Sequence, residues 1–454
     1  MSTPKIALQV ISSGILPDDV LMLGESLMKQ SKIPAQQQLT LQFGSFRHSV
    51  TIVPVPRYQG MRVSQTLARR MGIFGGIRLR VQYRSAARTV ALGPLIGVLV
   101  SRVMPEHPDK PFGDITMFCR EVTEACRSQG AHVYFFTPAA IRPNVSAVEG
   151  WVYTKGWQRL TLPAPDVMNN RLTTRKLENQ PEVQQFMRDI KTRYGAKVFN
   201  EKFLDKSEVF DALKKDGSLQ RYLPESHSLN NFAMLKSMCS KYGTVFLKPV
   251  TGSLGKGIIR ISRFGDGWQA SHATVSGTKR QIFSSLAKLY SSIAEKVKSV
   301  RYQIQQGLSL MEIGARPVDF RALTQKDAKG NWVTTSIVSR TANTDHFVSN
   351  LARGGTLSTV KATVANSNLP AMIRADAFRR LRAAALDIAR GIDTYIPAHF
   401  GELGIDLALD SSGRVWLLEV NSKPSKNDNT PLHEGKIRPS VRTMIRYARY
   451  ISGF

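Results

Sequence analysis

The sequence predicts a multidomain protein with α/β and α+β parts, and three observations support this fold class. A repeat with an offset of 40 residues occupies the first hundred positions, apolar strands alternate with a helix between residues 92 and 200, and two alternating strands flank a Ser-Gly turn near residue 412. The chain has 454 residues, of which 42% are hydrophobic and 21% charged. This length suggests roughly two to four domains, and the composition excludes a disordered or collagen-like chain.

Residues 1–91 are predicted to form a barrel-like domain from a duplicated αββ unit. Residues 26–52 and 66–92 align at the offset of 40, and each copy has the pattern of a short helix, a turn and two alternating strands. Identical pairs include Leu27/Leu67, Ile33/Ile73, Leu39/Leu79, Gln42/Gln82, Ser45/Ser85 and Val50/Val90. Repetition of this unit favours a compact, pseudo-symmetric β-barrel, and chance similarity is the alternative.

Residues 92–200 are predicted to form a parallel α/β domain. The apolar runs 92–103 and 132–136 are typical of buried strands, and the spacing over Ile115–Gln129 predicts a helix between them. The segment 151–167 predicts a hairpin followed by a proline-bounded loop. Residues 201–454 are predicted to form the largest unit, which ends in an amphipathic helix over Ile437–Tyr450 that we expect to dock on the core.

The charge is unusual for a globular chain. Lys and Arg number 63 against 34 Asp and Glu, which gives a net charge of +29, and the first hundred residues hold twelve basic and three acidic residues. Such a field favours polyanionic partners, among them nucleic acid, an anionic cell-wall polymer, an acidic protein or an acidic substrate. The charge does not choose among them, but no Lys/Arg run typical of a nucleic-acid arm is present.

The cellular setting follows from two further features of the sequence. The three cysteines include no CxxC pair, which argues against a disulfide framework or a cysteine zinc site and favours a reduced, cytoplasmic setting. The longest near-pure apolar run, Val90–Val100, is shorter than the roughly 20 residues of a membrane-spanning helix. We therefore expect neither a transmembrane segment nor a signal peptide.

The segment from Val245 to Ile261 predicts a phosphate-binding loop. A β-rich run delivers Lys248, and the loop that follows contains Gly252, Ser253, Gly255, Lys256 and Gly257. Glycines let backbone N–H groups approach phosphate oxygens, and lysine supplies positive charge. The loop is not a Walker motif, because no Ser or Thr follows Lys256 and a strand follows in place of a helix. A plain β-hairpin with an exposed glycine turn is the alternative.

The segment 404–421 predicts a magnesium site. If Ser412 and Gly413 form a two-residue loop, Asp406 lies opposite Glu419, and Asn421 follows on the same face. Two carboxylates across a ladder repel each other unless a cation lies between them, and all-oxygen ligands suit Mg²⁺. The other face is predicted to be apolar, with Ile405, Leu407, Leu409, Trp416, Leu418 and Val420. A solvent-facing polar strand face is the alternative.

A third group of residues predicts an anion clamp. The run 302–308 is typical of an interior strand and hinge, and Asp319 and Arg321 share one face of the next strand. Arg321 and Arg340 have the chemistry to clamp anionic oxygens, and the double glycine after Asn350 suits a tight turn near a ligand. Ordinary surface ion pairs and turns are the alternative. His399 lies near the strand of Asp406, where a structural role is favoured over a catalytic one.

Taken in order, these motifs resemble an ATP-grasp fold, and the chain most resembles the YheC/YheD family of endospore coat-associated proteins. The resemblance covers nearly the whole chain and is carried by LGPLIGV (92–98), PAPDVMNNR (163–171), YLPES (222–226), FLKPVTGSLGKGI (246–258), RPVDFRAL (316–323), SNLARGG (349–355) and HFGELGIDLALD…VWLLEVNSKPS (399–425). The chain departs from the pattern at the adenine hinge, where Gln306 occupies a position that is often acidic.

The resemblance implies a role for each site residue. Lys206 and Lys248 would contact nucleotide phosphates, and the loop with Gly252, Ser253, Gly255, Lys256 and Gly257 would close over them. Gln305, Gln306 and Leu308 would bind adenine through the backbone, and Asp319 would lie near the ribose. Arg321, Arg340 and Asn350 would act at the phosphate or an acyl phosphate, and Asp406, Glu419 and Asn421 would hold Mg²⁺.

The resemblance also implies an ATP- and Mg²⁺-dependent carboxylate–amine ligase that acts through an acyl phosphate. It divides the chain into the barrel-like domain (1–91), an α/β pre-ATP-grasp domain (92–200) and an ATP-grasp domain (201–454), whose nucleotide-binding lid spans about 206–300 and whose metal-binding core spans about 301–454. The acid and the amine stay unnamed, and the basic barrel is expected to hold an acidic polymer or acidic protein.

Two other functions stay open at this point. One is a non-catalytic coat protein that keeps the ATP-grasp fold, in the cytoplasm or in association with the spore coat. The other is nucleic-acid binding by the barrel through Arg62, Arg69, Arg70, Arg78, Arg80 and Arg84, which is the less favoured one.

Overall fold

The computed structural model describes residues 3–12, 14–143, 145–251, 256–274, 277–342, 356–426 and 437–454. Its strands fall into a closed barrel followed along the chain by three sheets. Within these ranges, no helix combines the length and the apolar character needed to cross a membrane.

The N-terminal part contains seven strands and two short helices. They are β1 (Lys5–Ile11), β2 (Val20–Gly24), α1 (Glu25–Ser31), β3 (Gln38–Phe43), β4 (Phe46–Val55), β5 (Met61–Ser64), α2 (Gln65–Met71), β6 (Arg78–Arg84) and β7 (Thr89–Gly93). The strands close into a barrel in the order β1-β5-β2-β4-β3-β7-β6. Side chains alternate along each strand, so Leu8, Leu41 and Leu79 fill the interior while their neighbours face outward.

The two halves of the barrel have the same element order at positions about 40 residues apart. Each half runs strand, helix, strand, strand, and both helices end at a left-handed residue, Lys32 (φ 56°) and Gly72 (φ 65°). The predicted αββ unit is therefore one strand too short, because β2 and β5 precede the helices. These strands are only five and four residues long, so their alternation gives little signal in the sequence.

The second sheet has a parallel centre. Its elements are β8 (Leu95–Leu99), α3 (Thr116–Gln129), β9 (His132–Phe136), β10 (Ala147–Tyr153), β11 (Trp157–Pro163), β12 (Val167–Asn170), α4 (Arg175–Glu178), α5 (Pro181–Tyr194) and β13 (Lys197–Phe199). The order is β11-β10-β9-β8-β12-β13, with parallel pairing from β9 to β13 and an antiparallel β10–β11 hairpin. The predicted parallel strands and the predicted hairpin are thus both present.

The third sheet is antiparallel throughout. Its region contains α6 (Lys206–Leu213), β14 (Ser226–Ser228), α7 (Phe232–Lys241), β15 (Thr244–Pro249), β16 (Ile259–Phe264), β17 (Gly267–Thr274), β18 (Gly277–Phe283), α8 (Leu286–Ser299) and β19 (Tyr302–Gln306). The order is β14-β19-β15-β16-β17-β18. Leu235 of α7 and Leu289 of α8 share a core with Val245 of β15, so both helices cover one face of this sheet.

The fourth sheet carries six of the residues predicted for the site, Asp319, Arg321, Arg340, Asp406, Glu419 and Asn421. Its region contains β20 (Glu312–Ile313), β21 (Arg316–Lys326), β22 (Trp332–Thr341), β23 (Thr356–Thr359), α9 (Val360–Ala365), α10 (Ala371–Tyr395), β24 (Glu402–Leu409), β25 (Val415–Asn421) and α11 (Pro439–Ser452). The order is β23-β22-β21-β24-β25, and β20 pairs with β21. Helix α10 packs on one face of the sheet, and Met444 of α11 packs with Phe118 of α3, so the last helix docks on the core as expected.

Buried ion pairs join the second sheet to the segment that follows β25. Glu402 accepts hydrogen bonds from Arg171 Nη1 and Lys426 Nζ, each at 2.6 Å, and all three side chains are at most 9% exposed. Burial by itself would raise the pKa of the Glu402 carboxyl, but the charges of Lys426 and Arg171 hold it below its ordinary value. Glu178 of α4 forms a second buried pair with Lys423. These pairs hold the residues after Asn421 against residues 171–178.

Replacement of Glu402 by Gln is expected to lower the free energy of unfolding by about 3–5 kcal/mol, because Arg171 and Lys426 lose their counter-charge while they stay buried. The matched control is Glu149→Gln, whose pair with Arg159 is exposed and should therefore contribute far less to stability than a buried pair. Chemical denaturation of both variants, followed at the transition that includes the second and fourth sheets, provides the measurement. Equal losses in the two variants would contradict the role given to burial.

Candidate active site

Strands β24 and β25 bring the two predicted carboxylates face to face. Asp406 pairs with Glu419, and Gly404 pairs with Asn421, two residues further along the strands. The predicted opposition of Asp406 and Glu419 is therefore confirmed.

The turn and the apolar face of this hairpin differ from the prediction. The Gly413 N–H donates to the Asp410 carbonyl, and the Asp410 N–H donates to the Arg414 carbonyl, so the loop has three residues, Ser411–Gly413. A register shift between Asp406 and Leu407 offsets the extra residue. Between the turn and this shift the faces of β25 are exchanged: Val415 and Leu417 lie in the core, while Trp416 donates to Asp410 at 2.8 Å. Placement of Trp416 and Leu418 on the apolar face was therefore wrong.

Two arginines surround the Asp406 carboxylate. Arg321 lies opposite Asp406 on β21 and donates from Nη2 to Oδ2 at 2.9 Å and from Nε to Oδ1. Arg340 lies opposite Asp319 on β22 and contacts both Asp319 and Asp406, the latter at 3.0 Å between Nη2 and Oδ1. Burial by itself would raise the pKa of Asp406, but Arg321 and Arg340 hold it below its ordinary value. The four side chains form a buried cluster that is neutral in total charge.

Two lysines approach the same pair of strands from other segments. Lys206 is the first residue of α6, and the Asp205 side chain caps this helix by accepting the Glu208 N–H. The Nζ of Lys206 lies 3.4 Å from Glu419 Oε1. Lys248, near the end of β15, donates to the Gln305 side chain. Burial and the charge of Lys206 lower the pKa of Lys248 to about 8, against the attraction of Glu419 and Asp406. The charges of four separate segments are thus close enough to act on one another.

A cavity of 340 Å³ lies beside Lys206 and Glu419. Its walls come from the second sheet's loop, the start of α6 and the end of β25. The lining residues are Thr173, Thr174, Arg175, Phe203, Leu204, Lys206, Val209, Phe210, Thr251, Glu419, Val420, Asn421, Ser422 and Lys423. Three cations and one carboxylate face this space, so the cavity favours an anionic ligand.

The donor set suits Mg²⁺ in part. Mg²⁺ prefers oxygen ligands and is commonly bound by one or two carboxylates together with substrate phosphates. Glu419 and Asn421 supply a carboxylate and an amide oxygen on one wall of the cavity, whereas both Asp406 oxygens already accept from arginines. The described ranges contain no group of three or more His, Cys, Asp or Glu that could hold an ion. Glu419 and Asn421 therefore fit the ion, and metal binding by Asp406 stays a prediction.

The backbone of the hinge segment is largely occupied. The Gln306 N–H donates to the Glu225 carbonyl and the Gly307 N–H to the Thr244 carbonyl, both at 2.9 Å, and the Gln306 side chain accepts the Glu225 N–H. Gln305 is buried between β14 and β15, where it contacts Ser226 and Lys248. Leu308 directly follows Gly307, whose N–H is already occupied. Adenine binding by Gln305, Gln306 and Leu308 stays a prediction.

Part of the predicted glycine loop and Asn350 lie outside the described residues. They are Gly252, Ser253, Gly255 and Asn350. Lys256 is exposed, and Gly257 has a φ of 75° and accepts a hydrogen bond from the Tyr302 hydroxyl at 3.1 Å. The positive φ explains why glycine occupies this end of the loop.

Other polar groups near the site have structural roles or were missed by the sequence. His399 contacts the Val198 carbonyl and the Tyr447 hydroxyl, and burial lowers its pKa, in agreement with the structural role that was favoured. Arg175 and Lys423 line the cavity but were not singled out. Lys423 follows Asn421 by two residues, a spacing that could have revealed it, whereas Arg175 comes from a distant segment without a motif of its own.

Comparison with known proteins places this geometry in a family. Residues 195–451, more than half of the chain, match the family described as YheC/D like ATP-grasp. Two relatives come from Bacillus subtilis (strain 168). Endospore coat-associated protein YheD is 29% identical over 368 residues, 80% of each chain, and endospore coat-associated protein YheC is 23% identical over 319 residues, 68% of this chain and 85% of the relative.

Solved structures show weaker likeness. D-cycloserine synthetase DcsG has a TM-score of 0.47 and 13% identity, and the match covers 78% of this chain and 99% of that one. D-alanyl-alanine synthetase A from Vibrio cholerae O1 has a TM-score of 0.42 and 10% identity over 80% and 98% of the two chains. At these values neither structure supports an inference about activity.

The pKa of Lys248 is expected to respond in opposite directions to the removal of its two charged neighbours. Lys206→Met should raise it from about 8, because a repelling charge is lost, and Glu419→Gln should lower it, because an attracting charge is lost. A titration of the lysine side-chain resonances by NMR measures both shifts. Lys248→Arg assigns the resonance, since the pKa values of Lys423 and Lys426 are also near 8. If the pKa of Lys248 shifted in the same direction in both variants, the placement of Lys248 between Lys206 and Glu419 would be contradicted.

Proposed function

This chain belongs to the YheC/D-like ATP-grasp family, and from that premise we propose that it is an ATP- and Mg²⁺-dependent ligase that joins a carboxylate to an amine. The observation that carries the proposal is that Lys206, Glu419 and Asn421 line one cavity, while Lys248 of β15 lies close enough for the charges of Lys206 and Glu419 to act on it. This set can neutralise a nucleotide's phosphates and a metal ion together. The division into domains 1–91, 92–200 and 201–454 belongs to the same proposal.

The proposed reaction has two steps. A carboxylate oxygen of the acid attacks the γ-phosphorus of ATP, the bond from that phosphorus to the bridging oxygen breaks, and ADP leaves. The amine nitrogen then attacks the carbonyl carbon of the acyl phosphate, inorganic phosphate leaves with the electrons of the C–O bond, and the nitrogen loses a proton to solvent. The product contains a new amide bond.

Each part of the chain has a proposed share in this reaction. Lys206 and Lys248 bind the phosphates, and the loop from Gly252 to Gly257 closes over them and keeps water from the acyl phosphate. A Mg²⁺ ion held by Glu419 and Asn421, with Asp406 as the third predicted ligand, would neutralise charge on the transferred phosphoryl group. The remaining roles are those implied by the resemblance: Gln305, Gln306 and Leu308 at adenine, Asp319 at the ribose, and Arg321, Arg340 and Asn350 at the acyl phosphate.

The cavity favours an acid that binds in its anionic form. Besides Lys206 it is lined by Arg175 and Lys423, and both cations lie over the ring of Phe203, at 5.2 Å and 4.3 Å from its centroid. Arg175 also donates to the Leu204 carbonyl at 2.6 Å, which fixes its guanidinium near the cavity.

Because two relatives are named endospore coat-associated proteins, we propose the spore coat as the site of action.

Wild-type protein is expected to bind ATP in calorimetry only with Mg²⁺, and Glu419→Ala is expected to lose this binding, because the proposed metal loses its carboxylate ligand. Glu295→Ala, which removes an exposed carboxylate from α8, should bind ATP like the wild type. If the wild type does not bind ATP, the ligase proposal fails and a non-catalytic coat protein becomes the leading function. If Glu419→Ala binds as well as the wild type, the metal assignment is wrong.

The affinity for ATP is also expected to fall as the pH rises through about 8, because Lys248 loses its proton there and a neutral amine no longer attracts phosphate. Binding above this pH should therefore take up a proton. Lys248→Arg keeps its charge over this range, so its profile between pH 7 and 9 should be shallower than that of the wild type and should reflect only the remaining titration of Lys423, whose pKa is also about 8. Calorimetry in buffers of different ionisation enthalpy measures both effects. A wild-type profile as flat as that of Lys248→Arg would remove Lys248 from the phosphate site.

A further inference from the structure

We propose that one side of the barrel, formed by β5, β1 and β6, is a docking surface for an acidic polypeptide. The surface is defined by Lys5, Arg62, Arg78 and Arg80 on the adjacent strands β5, β1 and β6, and is called the basic face below. It does not include any residue of the proposed ATP site, so the inference holds with or without ligase activity.

The basic face is contiguous on the outside of the barrel. Gln9 of β1 pairs with Arg62 of β5, and Lys5 pairs with Arg80 of β6. Ala7, between Lys5 and Gln9 on the same side of β1, pairs with Arg78. Neighbouring strands are about 4.8 Å apart, so β5 and β6 lie about 10 Å from each other across β1, and their arginines are offset along β1 by two and four residues. Lys5 and Arg78 are exposed, and Arg62 and Arg80 half-buried, within the width of three strands.

The composition of the second half of the barrel is one-sided. Residues 61–93 contain seven arginines and no Lys, Asp or Glu, and none of the seven barrel strands contains an acidic residue. The repeat offset provides an internal comparison. The positions that match Arg62, Arg78 and Arg80 in the first half hold Met22, Gln38 and Thr40. Since the first half forms the same elements with neutral residues, the fold does not require arginine at these positions.

The recorded partners of these guanidinium groups are mostly neutral. Arg62 donates to Gln9 at 2.9 Å and lies 4.5 Å from the centroid of the Tyr58 ring. Arg80 donates to the Gln129 carbonyl at 3.0 Å and to the Thr3 carbonyl. Amide oxygens and rings orient a guanidinium without cancelling its charge, so the surface keeps its positive field.

A cavity of 370 Å³ extends the basic face between the barrel and the second sheet. Arg78, Arg127 and Lys155 line it, and no Asp or Glu does. His132 also lines it, and within the described part of the chain its buried Nε2 has no hydrogen-bond partner. The cavity has the size and charge to accept an acidic side chain that projects from a chain lying on the basic face.

The same observations favour a polypeptide over nucleic acid. Single-stranded nucleic acid is generally bound by exposed aromatic rings on which bases stack, but Tyr58 is covered by Arg62 and Phe46 by Arg70. Both barrel helices have seven residues, too short to lie along a groove as recognition helices do. A rigid duplex also cannot enter the cavity beside Arg78, whereas a flexible acidic chain can.

The test uses labelled poly-L-glutamate and fluorescence anisotropy on the full chain. The triple variant Arg62→Met, Arg78→Gln and Arg80→Thr introduces the residues of the first half and is expected to bind about tenfold more weakly, because three exposed ion pairs are lost. The control variant Lys288→Gln, Lys298→Gln and Arg382→Gln removes the same charge from exposed positions elsewhere and should stay within about twofold of the wild type. Equal losses in the two variants would overturn the proposal, because net charge alone would explain them.

Two further measurements make the outcome decisive. Because Arg80→Thr also removes hydrogen bonds to Gln129 and Thr3, the melting temperature is expected to fall slightly, and a single cooperative transition above the assay temperature shows that the barrel still folds. Unchanged ATP binding shows that the surface is separate from the nucleotide site. A labelled DNA duplex is titrated in parallel. If the duplex binds more tightly than poly-L-glutamate and loses affinity in the basic-face variant, the partner is nucleic acid and the acidic polypeptide is rejected.

Discussion

The rest of the site depends on the compensation of two carboxylates that β24 and β25 place opposite each other. Asp406 is almost wholly buried, and a buried carboxylate without a partner would cost several kcal/mol. Arg321 and Arg340 supply the opposite charge to Asp406, and Lys206 supplies it to Glu419. These cations come from β21, β22 and α6. The charges of Asp406 and Glu419 are therefore balanced only when the fold brings Arg321, Arg340 and Lys206 to the β24–β25 hairpin.

The sequence predicted these contacts to the extent that they follow from local pattern. The alternation of β24 and β25 was sufficient to place Asp406 opposite Glu419, but it succeeded through two errors that cancel, since the three-residue loop and the register shift each move the pairing by one residue. Trp416 and Leu418 lie between the two errors, so they were assigned to the wrong face. The pairings of Arg321 with Asp406 and of Arg340 with Asp319 join residues far apart in the sequence, and no local pattern contains them.

The second sheet contributes to the site through buried ion pairs as well as through its own loop. Glu178 and Glu402 hold Lys423 and Lys426, and this fixes the chain directly after Asn421. Removal of either carboxylate would leave a cation buried without its counter-charge. Separation of α4, which carries Arg175, from β25, which carries Glu419, would therefore cost several kcal/mol of free energy. The walls of the cavity are thus fixed by their surroundings, which is the preorganisation that the proposed phosphoryl transfer would require. No such constraint could be derived from Glu178 in the sequence, where it is one acidic residue among many.

The net charge of +29 has a different meaning in the two parts of the molecule. Around Asp406, positive charge is matched by carboxylates at close range, so it contributes to folding and to the local potential of the cavity but little to the long-range field. On the outer surface of β5 and β6, Arg62 and Arg80 contact an amide oxygen, backbone carbonyls and an aromatic ring, which leave the field intact. Like charges on one surface repel each other and destabilise a fold unless a ligand neutralises them. Because the first half of the barrel forms the same elements without them, the arginines of β5 and β6 are best explained by a partner outside the chain.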